Sequence, residues 1–137
     1  MFEAPTRMTF VPLQGCIYFD TLAGMEKQKL PVRFFRTASG GEPVRKWLKE
    51  LSKQERKAIG DDIRTLQFAW PVGMPLVRKL EDGLWEVRTD FPNRIARVLF
   101  TVVAGEAVLL HGFVKQSRKT PQADLQTARK RGALLKL

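Results

Sequence analysis

The chain has 137 residues, which is enough for one domain with a buried core and too few for two domains of ordinary size. Its 24 Lys and Arg residues exceed its 14 Asp and Glu residues, and the formal charge of +10 favours a polyanionic partner over a solely solubilising role. No apolar run reaches the roughly 18 residues that span a bilayer, and a single Cys and a single His exclude an internal disulfide and the usual zinc sites.

The first thirty residues show no sustained hydrophobic periodicity, because two prolines and two glycines interrupt every candidate element. We therefore predict a partly disordered extension over residues 1–30 and one domain over residues 31–137. The extension lacks the succession of basic, apolar and small residues that marks a signal peptide, so we expect a cytoplasmic protein.

A short strand and a helix begin the predicted domain. Val32, Phe34 and Phe35 have Arg33 and Arg36 between and beside them. A Ser-Gly-Gly turn then ends this short strand. Pro43 suits the first turn of a helix, and apolar residues then recur every three or four positions as far as Leu51. The pattern predicts an amphipathic helix.

A second helix follows directly. Ser52 and Glu55 have the spacing of a capping box, in which the serine oxygen accepts from the Glu55 N–H and the glutamate returns to the Ser52 N–H. The apolar stripe continues to Trp70, where Pro71 must end the helix. The two helices should form a hairpin that covers another apolar surface.

Three strands joined by short turns supply that surface. We predict them at residues 84–89, 94–103 and 107–115, and their apolar content indicates cover on both faces. Residues 121–137 predict a C-terminal helix with a basic stretch. The predicted class is α+β in the order β-α-α-β-β-β, with a small antiparallel-rich sheet, the helix hairpin on one face and the C-terminal helix after it.

Four cations lie where the predicted strands begin or end. Arg88 ends the first strand of the meander, Arg94 and Arg97 begin the second, and Lys115 ends the third. Successive antiparallel strands reverse direction, so these cations should converge at one end of the sheet as a basic site of phosphate size. The alternative is a solvated rim in which the arginines pair with nearby acids. Those acids are Glu86, Asp90 and Glu106.

Other catalytic constellations are missing from the sequence. A single histidine with no Gly-x-Ser-x-Gly elbow offers no nucleophile triad, Gly-rich phosphate loops are absent, and the few paired carboxylates do not form a metal cluster. We therefore expect no cofactor and no metal. A basic site can still act on RNA, because the 2′-hydroxyl of the substrate is its own nucleophile.

Four segments together resemble a known family. They are LEDGLWEVR at residues 80–88, RIARVLF at 94–100, VLLHGFVK at 108–115 and KTP at 119–121. Their order and spacing resemble the phage-related, HigB-like branch of the RelE/ParE toxin superfamily, and the resemblance spans residues 31–131. The RelE-like fold that it implies agrees with the element order predicted above.

The resemblance implies the toxin of a type II toxin-antitoxin system. Such a toxin is a metal-independent mRNA endoribonuclease that acts on the ribosome and inhibits translation. The implied partners are mRNA, the ribosome and a cognate antitoxin, often of the helix-turn-helix type, with no membrane and no small-molecule cofactor.

The same resemblance implies roles for individual residues. Arg97 is expected to bind the scissile phosphate, Arg88 to assist it, and Lys115 to protonate the leaving group or stabilise charge. Further basic residues are expected to bind the RNA. They are Arg94, Arg118, Lys119, Arg129, Lys130 and Arg131.

This chain departs from its relatives at two core positions. Many relatives carry tyrosines where Ala96 and Phe100 stand, so a role that needs a core phenol is unfilled. We interpret His111 as a structural histidine within an apolar strand. Two alternatives stay open, namely a ParE-like inhibitor of DNA gyrase and a non-catalytic phage-derived protein that binds nucleic acid, because the fold alone does not decide between them.

Overall fold

The computed structural model describes residues 28–116 and 119–135, and within these ranges it contains five strands and three helices. The α+β class and the predicted element order are confirmed, and one further strand lies between α2 and the predicted meander. In chain order the elements are β1 (Val32–Phe34), α1 (Pro43–Glu50), α2 (Lys53–Ala69), β2 (Val77–Glu81), β3 (Leu84–Phe91), β4 (Arg94–Val103), β5 (Glu106–Lys115) and α3 (Gln122–Leu134). None of these three helices is long and apolar enough to cross a membrane.

The start of the domain packs on α2. Most of the extension predicted over residues 1–30 lies outside the described residues. The backbone N–H groups of Lys29 and Leu30 both donate to the carbonyl oxygen of Gln67, at 2.9 and 3.0 Å, and the Leu30 side chain is buried. The chain is therefore attached to α2 at Lys29 and Leu30.

The five strands form one sheet in the order β1-β5-β4-β3-β2. β2, β3, β4 and β5 run antiparallel to their neighbours, as a meander does, whereas β1 pairs with β5 in parallel. The parallel pair is possible because the helix hairpin and the meander together form the long connection between β1 and β5. The meander occupies the centre of the sheet and sets the register of the candidate site.

The helix hairpin covers one side of the sheet, which we call the hairpin face. Leu48 of α1 and Ile63 of α2 are buried against Val98 and Phe100 of β4. Each such side chain contributes roughly 1.5–3 kcal/mol through the apolar surface it removes from water. The predicted covering role of the hairpin is therefore confirmed.

α3 covers part of the opposite side, which we call the α3 face. Ala128 packs there against Leu99 and Leu110, both fully buried. A register shift in β4 and β5 lies beside this contact, and the Leu110 carbonyl oxygen accepts a 2.7 Å hydrogen bond from Arg131 Nη1. The helix is thus fixed to the sheet by apolar packing and by a charged hydrogen bond.

The capping box at the start of α2 is confirmed in one of its two parts. Ser52 Oγ accepts a 3.1 Å hydrogen bond from the Glu55 backbone N–H. The Glu55 carboxylate does not return to Ser52 as predicted, and it pairs with Arg94 at the start of β4. At the other end, α2 stops at Ala69, next to the residue that precedes Pro71, as predicted.

Candidate functional site

Two arginines lie directly opposite each other in the middle of the sheet. Arg88 of β3 is the register partner of Arg97 of β4, and Arg97 is the partner of Phe113 of β5. Phe113 packs in the cluster that includes Ala128 of α3, so this row of side chains is on the α3 face. Lys115 lies two residues beyond Phe113 on the same strand and therefore projects to the same face. The structure thus brings Arg88, Arg97 and Lys115, three of the four cations predicted to converge, to one face of the sheet.

Arg97 is fully buried. Its Nη1 atom donates to Thr120 Oγ1 at 3.2 Å and lies 3.8 Å from Glu86 Oε1. Burial lowers the pKa of Arg97; Glu86 opposes this change, and the positive charges of Arg88 and Arg78 add to it. The guanidinium nevertheless remains protonated, because an arginine pKa starts far above neutrality. With no exposed surface, Arg97 can contact a phosphate only after its neighbours move.

Glu86 is the carboxylate between the two arginines, and it is also fully buried. Its Oε1 atom accepts a 3.1 Å hydrogen bond from Thr120 Oγ1, and its Oε2 atom lies 3.8 Å from Arg88 Nε. Among the residues that the structure describes, neither Glu86 Oε2 nor Arg88 Nε has a hydrogen-bond partner. Of the ion pairing left open above, the part that involves Glu86 therefore exists and is buried, whereas Glu106 pairs with Arg33 of β1.

The outer part of the site consists of cations that reach solvent. The Arg88 side chain is 17% exposed, and Lys115 and Arg78 are exposed. Arg78 was missed from the sequence because β2 was missed, and its register partner is Glu86. We name these three cations, together with the buried Arg97 and Glu86, the Arg88–Arg97 site. Its charges leave a local positive excess suited to a phosphate group.

Arg94 does not join this site. It is three residues before Arg97, and successive side chains of a strand alternate between faces, so the two arginines lie on opposite sides of the sheet. Arg94 pairs with Glu55 on the hairpin face, and its guanidinium carbon lies 5.8 Å from the centre of the Phe91 ring.

The basic residues of α3 differ in whether they contact the sheet or solvent. Arg129 donates to Glu81 Oε1 at 2.7 Å, which ties α3 to β2, and Arg131 is engaged with the Leu110 carbonyl oxygen. Lys130 is exposed on the helix and Lys119 is exposed just before it, whereas the expected RNA-binding residue Arg118 lies outside the described residues. Arg129 and Arg131 therefore serve the attachment of α3.

His111 links β5 to α3. Its Nε2 atom lies 2.6 Å from Asp124 Oδ1, and its ring stacks on Phe113 with centroids 5.6 Å apart. These contacts agree with a structural histidine. Within residues 28–116 and 119–135, no three His, Cys, Asp or Glu side chains come together in a way that could hold a metal ion.

Comparison with known proteins identifies the family. Residues 46–133 match the family described as "Phage derived protein Gp49-like (DUF891)", and this segment covers more than half of the chain and every residue of the Arg88–Arg97 site. No curated protein matches the chain. The chain therefore belongs to the Gp49-like family of phage-derived proteins, a family of RelE/HigB-like toxins.

Proposed function

We propose that this protein is the toxin of a type II toxin-antitoxin system and that it cleaves mRNA on the ribosome, in the cytoplasm, without a metal ion. Membership of a toxin family supports the first part. The observation that carries the second part is the direct pairing of Arg88 with Arg97, with Lys115 on the same face. Such a group of cations suits the charge that develops on a phosphate under attack.

The reaction uses the substrate as its own nucleophile. The 2′-oxygen of the ribose attacks the adjacent phosphorus, its proton passes to solvent, and the bond from phosphorus to the 5′-oxygen breaks. The products are a 2′,3′-cyclic phosphate and a 5′-hydroxyl, so atoms and charge balance without a metal. Arg88 stabilises the extra negative charge of the pentacoordinate state, and Lys115 donates a proton to the leaving 5′-oxygen and then regains one from solvent. The buried charge of Arg97 adds to the positive potential at the phosphate.

The partners follow from this activity. The positive charge of the chain, +10 overall, suits mRNA and ribosomal RNA, and exposed Lys119 and Lys130 add backbone contacts. Toxins of this kind require a cognate antitoxin, which we propose is a helix-turn-helix protein. Binding of the antitoxin keeps the toxin from its RNA.

Two parallel assays test this function. Purified protein is added to a translating extract programmed with a defined mRNA, and separately to DNA gyrase with relaxed plasmid. We expect cuts within translated codons, ending in cyclic phosphate, and unchanged supercoiling. Intact mRNA together with inhibited supercoiling would replace the nuclease by a gyrase poison, and intact mRNA with normal supercoiling would leave a non-catalytic binder.

A further inference from the structure

Besides its cations, the Arg88–Arg97 site has a carboxylate, Glu86, and a neighbouring hydroxyl, that of Thr120, which have no part in the reaction above. Glu86 comes from the segment of residues 80–88, and Thr120 comes from the Lys-Thr-Pro segment just before α3. They are 34 positions apart in the chain, yet Thr120 Oγ1 donates to Glu86 Oε1 at 3.1 Å. Two sequence segments thus meet at a single hydroxyl group.

That hydroxyl makes two contacts with defined directions. Thr120 Oγ1 accepts from Arg97 Nη1 at 3.2 Å and gives its own proton to Glu86. Because a hydroxyl has one proton, the donation to Glu86 leaves its lone pairs for Arg97. Thr120 therefore fixes a buried cation and a buried anion relative to each other.

The contacts of Glu86 and Thr120 oppose two effects that destabilise the pair of arginines. Like charges directly opposite each other on neighbouring strands repel, and a buried guanidinium loses its hydration. Glu86 lies 3.8 Å from Arg97 Nη1 and 3.8 Å from Arg88 Nε, so one carboxylate attracts both arginines. Without it, Arg88 and Arg97 would separate and Arg88 would lose its defined direction.

We propose that Glu86 and Thr120 are positioning residues: they hold Arg97 in its buried place beside Arg88, and they thereby aim the partly exposed Arg88 guanidinium at the substrate phosphate. The proposal rests on the proposed function for the chemical role of Arg88. Glu86 and Thr120 themselves do not touch the RNA.

The first experiment measures Arg97 without any RNA. NMR of the arginine side chains reports the rotation and hydrogen exchange of each guanidinium in wild type and in Thr120→Val, which keeps the shape and removes the hydroxyl. We expect slow rotation of Arg97 in wild type, fast rotation in Thr120→Val and slow rotation again in Thr120→Ser. Unchanged Arg97 signals in Thr120→Val would overturn the proposal.

The matched control is Thr127→Val in α3. The Thr127 hydroxyl donates to the backbone carbonyl oxygen of Ala123 and is remote in sequence from the two arginines. This variant should leave the Arg97 signals and the cleavage rate unchanged. Thermal unfolding of all variants shows that each one is folded when it is measured.

The second experiment measures cleavage. Loss of a hydrogen bond to a charged group should lower the kcat of Thr120→Val by about tenfold or more, with a much smaller change in KM, and Thr120→Ser should restore kcat. A folded Glu86→Gln variant should lower kcat in the same way. If Glu86→Gln does not fold, Thr120→Val alone tests the proposal. Wild-type kcat in folded Thr120→Val would overturn the proposal.

The two experiments separate the two claims. If wild-type protein cleaves no RNA, the proposed function fails, and the positioning role of Glu86 and Thr120 is decided by the Arg97 signals alone. If wild-type protein cleaves RNA and Thr120→Val does so at the same rate, the function stands and the positioning role is wrong.

Discussion

Arg88 and Arg97 are direct cross-strand neighbours on β3 and β4, and the buried carboxylate of Glu86 lies 3.8 Å from each of them. Counted over these three described side chains, two positive charges face one negative charge, which leaves a positive excess. A bound phosphate would neutralise this excess, and binding to the folded state alone raises stability. The pairing therefore predicts a measurable ligand effect that does not depend on catalysis.

Inorganic phosphate should raise the thermal unfolding midpoint of the wild-type protein above its value in chloride at equal ionic strength. Arg88→Gln should lose most of this rise, because it removes the partly exposed guanidinium of the pair. Differential scanning calorimetry in the two salts measures both effects. Arg36→Gln is the matched control, because Arg36 is exposed and pairs with Glu42 away from the sheet centre. Equal rises in wild type and Arg88→Gln would contradict a phosphate site at Arg88.

Arg94 should contribute to stability through the hairpin face. Arg94→Ala and Glu55→Ala each remove one partner of the pair that joins β4 to α2. A double-mutant cycle in urea should give a coupling free energy of about 0.2–1 kcal/mol, the usual range for a partly exposed ion pair. A coupling indistinguishable from zero would be evidence against this pairing in solution.

The placement of Arg94 could have been predicted from the sequence. Arg94 and Arg97 are three residues apart in one strand, so the two-residue period of a strand puts them on opposite faces. The convergence of strand ends correctly grouped Arg88, Arg97 and Lys115, but it describes position along the sheet and ignores the face. Alternation is a second, independent constraint, and both are needed to assemble a site from sequence.

The pH dependence of stability should change when Asp62 is neutralised. Burial raises the pKa of Asp62 above its ordinary value of 3.8, against the opposing hydrogen bond from Thr89, and the charges of Asp61 and Asp90 add to the rise. For an acid this means that the folded state resists ionisation. Its favourable contribution is complete below the unfolded pKa and is lost as pH rises through the higher folded pKa.

Asp62→Asn should therefore raise the free energy of unfolding at pH 7, since the amide oxygen still accepts the 2.7 Å hydrogen bond from Thr89 Oγ1. The advantage should shrink as the pH falls below about 4, where aspartate is protonated in both states. Urea unfolding of wild type and Asp62→Asn, at pH 7 and below about pH 4, measures the difference in unfolding free energy. Asp82→Asn, which removes an exposed partner of Lys79, should bring no gain at pH 7. A gain for Asp62→Asn that is the same at both pH values would speak against this origin.

Gly112 should be intolerant of a side chain. A Cβ atom built at this position overlaps the ring of Trp47, so α1 packs on β5 only because the residue beneath it is glycine. Gly112→Ala should cost about 1–3 kcal/mol of unfolding free energy, the usual effect of overpacking a core. In Gly73→Ala the added methyl group meets no atom within 4 Å, so that variant should be nearly neutral. Similar losses in the two variants would show that Trp47 is not the cause.

Local signals predicted the helices well, and long-range contacts explain what was missed. The ends of the helices depend on local backbone chemistry alone: α1 begins at Pro43, and α2 lies between its N-cap Ser52 and Pro71. β2 has the sequence VRKLE, in which apolar and polar residues do not alternate regularly. Its pairing with β3 is also irregular after Lys79, and its strand structure depends on that pairing. An edge strand of this kind is defined by its partner more than by its own residues.

The inner part of the site was hidden for the same reason. Glu86 lies between Trp85 and Val87 and, in sequence, suggests a surface carboxylate on an alternating strand. In the structure Glu86 is buried and accepts a hydrogen bond from Thr120, which lies just before α3 and so depends on how that helix packs on the sheet. The sequence identifies the cations of the site, whereas the contacts that fix their geometry require the tertiary structure.

The most direct test of a nuclease at this face is primer extension on a defined mRNA in a translating extract. The variants compared are wild type, Arg88→Ala combined with Lys115→Ala, and the control Arg36→Ala, each verified as folded by circular dichroism. Loss of transition-state charge stabilisation should reduce cleavage by the double variant at least about a hundredfold, while the control cuts the same codons as wild type. Wild-type cleavage by the folded double variant would contradict an active site on the α3 face.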